Sequence, residues 1–160
     1  PLFAQLHPAG VSAVSVSGRT AVSVLQPGMT VRVRAKVDER GRGHDEIRML
    51  DIVTAPPGFT PDDVRPNRIE TIVGRVLRSS KGTLLLQVDA GRIRRITLPL
   101  AEDAIAMIDA AEVRLISPGD TIEVTGRLWS GAGSAGSGTV FASRVTITKP
   151  APQATDSPRP

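Results

Sequence analysis

Two histidines, several adjacent acid pairs and one glycine-rich run are where this sequence offers groups able to do chemistry. The histidines are His7 and His44, one near the start and one in a polar stretch. A hydrolytic triad needs serine, histidine and acid brought together, and the G-x-S-x-G elbow that exposes such a serine does not occur. Asp45-Glu46, Asp62-Asp63 and Glu102-Asp103 can be imagined as acid–base pairs, but neighbouring residues point apart in strands and helices alike. Turn and cap roles account for them better. There is no cysteine, so thiolate catalysis, disulfides and cysteine zinc sites all fall away.

Metal and phosphate fare no better. Calcium asks for an oxygen-rich loop of the D-x-[DN]-x-[DN]-G kind, whereas ERGRGHDE (39–46) sets two arginines among its acids. GAGSAGSG (131–138) lacks the Gly-Lys-Ser/Thr ending of a phosphate loop and does not lead into a helix. It reads as a long, mobile hairpin loop, as the Pro-rich tail over 152–160 reads as mobile. Trp129 at the loop's edge caps a barrel mouth or anchors a partner. No catalytic, cofactor-binding or metal-binding residue is therefore assigned, and no cofactor is expected.

Polyanion binding is the serious chemical alternative. The net charge is +4, and only Lys36, Lys81 and Lys149 among 20 basic residues are not arginine. Arg32, Arg34 and Lys36 form one stripe, and Arg92, Arg94 and Arg95 a second cluster. Single strands bind by stacking on aromatics, each worth about 1–3 kcal/mol per base, as well as by charge. Aromatics make up only 2% of the chain, with no tyrosine and none between 70 and 98, so stacking has no platform there. Sixteen acids also interleave with the bases. Nucleic acid is held as the alternative, not the first reading.

The elements that carry these residues announce themselves by repetition. LQPGMTVRVRAKV (25–37) returns as ISPGDTIEVTGRL (116–128), residue for residue at an offset of 91. Pro-Gly makes a turn, and the strict alternation that follows marks a half-buried strand. Val31, Val33, Ala35 and Val37 are expected to face inward in the first phrase, and Ile122, Val124, Gly126 and Leu128 in the second. Each phrase leads through a loop to a closing strand, IRMLDIVT (47–54) or TVFASRVTIT (139–148). ETIVGRVLR (70–78), TLLLQVD (83–89) and RIRRITLPL (92–100) predict three strands upstream of the second phrase. AEDAIAMIDAAEV (101–113), with Ala101, Ile105 and Ile108 at helical spacing and acids in its first turn, predicts a short helix.

Three strands, a helix and two strands is the order of the OB-fold, a small five-stranded Greek-key barrel. The expectation is an all-β chain: a partial β repeat over 1–55, a Pro-rich linker over 56–68, an OB-like barrel over 69–149 and a disordered tail over 150–160. The first stretch offers two strands turning at Ser17-Gly18 before its phrase, and lacks one strand and the helix of the second. Too few strands to close leave an exposed edge over AVSVSGRTAVSV (13–24), which contains only one charge, Arg19. Such an edge invites strand addition from another chain, with Val14, Val16, Val22, Val24 and Trp129 as expected contacts to a protein partner or a second copy. The competing expectation is that 10–25 folds back on its own barrel.

GTLLLQVDAGRIRRITLP, LISPGDTIEVTGRL and GTVFASRVTI together resemble the bacterial OB-fold domains of unknown function found, often in tandem, in exported proteins. The likeness covers roughly 70–149, with a partial copy over 17–54. It implies a non-catalytic structural or accessory protein and assigns no chemical residue. With a first residue that is Pro1 and not Met, it also implies an extracytoplasmic setting: periplasmic, cell-surface or secreted. No apolar run approaches the roughly 20 residues that span a bilayer.

Overall fold

The structure, a computed structural model, describes residues 3–6, 13–59, 64–90, 92–128 and 139–150. In chain order the strands are β1 (Phe3–Leu6), β2 (Ala13–Ala21), β3 (Thr30–Lys36), β4 (Ile47–Val53), β5 (Ile69–Ser80), β6 (Thr83–Ala90), β7 (Ile93–Ala110), β8 (Thr121–Leu128) and β9 (Thr139–Thr148). Two single 3₁₀ turns, Val22–Val24 and Val113–Leu115, stand before β3 and β8. The chain is thus built of strands in one mixed sheet, and among the described residues no helix is long and apolar enough to cross a membrane.

The sheet closes on itself through β7. The first half of β7 pairs antiparallel with β6, from Leu84↔Leu98 to Gln87↔Arg95, and its second half runs parallel to β4, from Met49↔Ile105 to Val53↔Asp109. β6 pairs with β5, β5 with β3 and β3 with β4. That makes a ring of five strands, β7-β6-β5-β3-β4 and back to β7. Strands from both phrases therefore share one sheet. The ring is filled by the alternate apolar residues of each strand, among them Val31, Val33, Leu50, Ile52, Ile72, Leu86, Ile96 and Leu98, all buried. Each such side chain contributes about 1.5–3 kcal/mol by leaving water.

The helix expected over 101–113 is absent; β7 runs through Ala110. Ala104, Ala106, Ile108 and Ala110 are buried in strict alternation. That period-two set was hidden beneath the helical spacing of Ala101, Ile105 and Ile108. Hydrogen-bonded neighbours on both sides, β2 and β4, settle the choice, because pairing outweighs the modest helix preference of alanine. Glu102 and Asp103 do not cap anything: they sit in a bulge, where five steps from Leu100 to Ile105 oppose two from Ile47 to Met49.

Nor does the chain turn at Ser17-Gly18. β2 passes straight through, antiparallel to β7 on one side and parallel to β9 on the other. Gly18 has φ +129°, and a Cβ there would lie 2.6 Å from Cβ of Lys149, so glycine serves close passage of the end of β9 and not a hairpin. β1 and β2 follow one another along the same side of β9, Leu6 opposite Ala142 and Ala13 opposite Arg144. β8 takes the other side of β9 and, among the described residues, pairs with nothing else.

Candidate protein-contact surface

Several of the groups with chemical potential are occupied locally. Asp38 accepts hydrogen bonds from the backbone N–H of Arg40 and Arg42, each 2.8 Å, which fixes the turn that opens the 39–46 loop. The bond from Arg42 leads the effects that hold the Asp38 carboxyl below its ordinary value. His44 is exposed, its Nε2 3.8 Å from Asp38. Asp103 lies 3.7 Å from Arg48 on open surface, and Glu112 forms two 2.8 Å bonds with Arg114, which lower its pKa. Among the described residues that line it, a groove of about 390 Å³ between Phe59, Val64 and β5 has the carboxylate of Glu70, which accepts from the Arg65 amide. Among the described residues no three His, Asp or Glu side chains gather as metal ligands. His7, Asp62, Asp63, Trp129 and the 131–138 and 152–160 segments lie outside the described residues.

The arginine stripe is split. Arg32 Nε bonds Asp51 Oδ2 at 2.9 Å across the β3–β4 ladder. Arg34, Lys36, Arg92, Arg94 and Arg95 are exposed and take no ion-pair partner among the described side chains. The first group lies on β3 and Arg94 and Arg95 on β7, strands that are not hydrogen-bonded neighbours in the ring.

The expected contact valines turn the other way. Val16 is buried, and Val14, Val22 and Val24 are half-buried against the core. The reason is the pairing of β2 on both sides, which makes it an interior strand and not the free edge that its few charges suggested.

Among the described residues β8 is a free edge. The two phrases take the same local course: 3₁₀ turns at 22–24 and 113–115, then Pro-Gly turns with φ +91° at Gly28 and +94° at Gly119. Their strands then part company. Val31 and Val37 are 0% and 1% exposed, while their counterparts Ile122 and Leu128 are 52% and 61% exposed. Upstream, Leu25 is buried and its counterpart Ile116 exposed, as is Val113. β3 belongs to the closed ring, whose core takes in Val31 and Val37; β8 pairs only with β9 among the described residues and closes no such ring. The expectation that Ile122 and Leu128 face a core is therefore overturned.

β8 is nonetheless firmly held from its other side. Lys149 Nζ bonds Asp120 Oδ2 and Ser117 Oγ at 2.8 and 2.7 Å and also donates to the Leu115 carbonyl. The Ser117 amide donates to Asp120 Oδ2 at 2.8 Å. Burial pushes the Asp120 carboxyl up, but these hydrogen bonds and the lysine charge outweigh it and hold the pKa below its ordinary value.

The arrangement defines a β-sheet protein with a closed five-stranded ring and, among the described residues, an open edge at β8 that carries bare apolar residues. No family model, curated protein or solved structure matches the chain. The exposure of Ile116, Ile122 and Leu128 was masked in the sequence because their phrase matches a buried one position by position, and Val113 just before it gave no separate signal.

Proposed function

We propose that this chain is a non-catalytic structural or accessory β-barrel protein that acts through protein–protein contacts, as a component of an extracytoplasmic or cell-surface assembly. The observation that carries the reading is the bare apolar face of β8, an edge strand with one side unpaired among the described residues. Monomers blunt such edges with charge, proline or cover, and an uncovered one is a template for strand addition. β8 has Glu123 and Arg127, yet Ile122 and Leu128 stay exposed and no proline interrupts the strand.

The OB-fold belongs to the proposal too. Read from β5, the ring runs β5, β6, β7, with the β3–β4 hairpin closing it; this supports a small five-stranded Greek-key barrel whose last two strands come from the earlier phrase. The 3₁₀ turns stand where that fold often places a helix. The extracytoplasmic setting rests on the resemblance over 70–149.

Single-strand nucleic-acid binding is the second reading, favoured by the exposure of Arg34, Lys36, Arg94 and Arg95. It lacks aromatic platforms on those strands.

The test is a photo-crosslinking residue at position 122 in the organism that makes the protein, with one at position 94 as control. A discrete protein adduct from 122 alone, lost with Leu128→Lys, is the expected result. Adducts from neither position, or equally from both, would overturn the reading.

A further inference from the structure

The two phrases are related by more than sequence. β2 and β7 pair antiparallel with Ser17 opposite Asp109 and Gly18 opposite Ile108. At the offset of 91, Ser17 corresponds to Ile108 and Gly18 to Asp109, so a local two-fold axis passes between these pairs. Each half gives its hairpin to the other: β4 runs parallel to β7, and β9 runs parallel to β1 and β2. β1, at 3–6, falls at the counterpart of residues 94–97, within the first half of β7.

The halves differ in one respect. In the closed half, β5 lies on the free side of β3, with Val31 opposite Gly74 and Lys36 opposite Ile69, and β6 lies on the first half of β7. In the open half, the corresponding sides of β8 and β1 have no strand among the described residues. The gap is two strands wide, and β8 keeps the apolar pattern of a covered strand.

Resting on the assembly reading above, we propose that the occupant of this gap is a β-hairpin of the β5–β6 kind presented by the partner protein. Its first strand adds antiparallel to β8, its second antiparallel to β1, and a second five-stranded ring closes. The chemistry required of it follows from the closed half: two strands of about 12 and 8 residues, as in β5 and β6, joined by a short turn. Alternate aliphatic residues face Ile122, Val124 and Leu128, and a small residue stands opposite Ile122 as Gly74 stands opposite Val31. A single added strand would cover β8 and leave β1 bare; two are needed to bridge both free sides.

The probe is the chain's own hairpin. A second copy of residues 68–92 is fused ahead of Leu2, the counterpart of Ile93, so that linkage supplies a high effective concentration. Residue-resolved amide exchange and mass are measured on the full chain and on the fusion. The expected result is a monomeric fusion in which alternate β8 amides exchange at least about 100-fold more slowly than in the unfused chain. Ile122→Lys with Leu128→Lys returns them to the fast rate. Unchanged β8 exchange in a folded fusion overturns the hairpin proposal, as does a doubling of mass in the unfused chain with β8 protected, which makes a second copy the occupant. Protection of β8 but not β1 overturns it in favour of a single strand. A failed fusion beside a discrete crosslink from position 122 rejects the hairpin and leaves the assembly reading standing.

Discussion

Asp120 and Lys149 form a salt bridge of 2.8 Å with side chains only 1% and 7% exposed, joining the residue before β8 to the residue after β9. The same lysine donates its backbone N–H to the Ser17 carbonyl at 2.9 Å, beside Gly18. One residue thus ties the β8–β9 hairpin shut and fastens it to β2. In the first phrase the place of Asp120 is taken by Met29, a buried core residue. The covered half is held by packing at this point, and the uncovered half by an ion pair.

Removing one partner of this part-buried pair leaves the other charge unmatched. Asp120→Ala or Lys149→Met is expected to cost about 2 kcal/mol in chemical denaturation, while Arg32→Ala, which breaks a half-exposed pair with Asp51, costs under about 1 kcal/mol. Equal losses from both pairs would contradict the clamp.

The clamp also has a pH signature. The folded pKa of Asp120 lies below its unfolded one, so its stabilisation is complete above the unfolded value and is lost as pH falls through the folded value. Stability is therefore expected to drop below about pH 4, with a smaller drop in Asp120→Asn. The check is urea denaturation of both proteins from pH 7 to pH 2.5.

Counterpart positions in the two phrases should respond differently. Val31→Ala removes a buried group and is expected to cost about 2 kcal/mol. Ile122→Ala, 91 residues on, should change stability by less than about 0.5 kcal/mol in the isolated chain. A large loss at Ile122 in a monomer would mean that its face is covered.

Gly18→Ala should destabilise by about 1–3 kcal/mol, since alanine is strained at this φ and its methyl meets Lys149. If Gly18 instead sat in an ordinary turn, the same change would leave thermal stability almost untouched.

Much of the ring was legible from the chain. The strands expected over TVRVRAK, IRMLDIV, ETIVGRVLR and TLLLQVD correspond to β3, β4, β5 and β6 closely. Residues 101–110 were not, because alanine and isoleucine there satisfy both periods and only the neighbours β2 and β4 choose between them. The free edge was misplaced for a related reason. Scarcity of charge in 13–24 signals burial as readily as an open edge, and local pattern does not reveal that the two halves exchange hairpins. Ile122 and Leu128 carry the pattern of a covered strand, and which strand is covered is decided by partners far along the chain.

For the arginines, titration with a labelled single-stranded oligonucleotide at low and moderate salt is expected to give no salt-steep binding. Tight binding that weakens steeply with salt and with Arg94→Ala would favour the nucleic-acid reading instead.

The most direct test is residue-resolved amide exchange on the isolated monomer, comparing β8 with β3. β3 pairs with β5 throughout and with β4 over Thr30–Arg32, so the amides of Thr30–Arg32 should exchange only through large-scale opening; alternate amides of β8, facing the unpaired side, should exchange at least about 1000-fold faster. Uniform protection of Thr121–Leu128 at the level of Thr30–Arg32 would show that β8 is already covered and would contradict the open edge on which the proposed function rests.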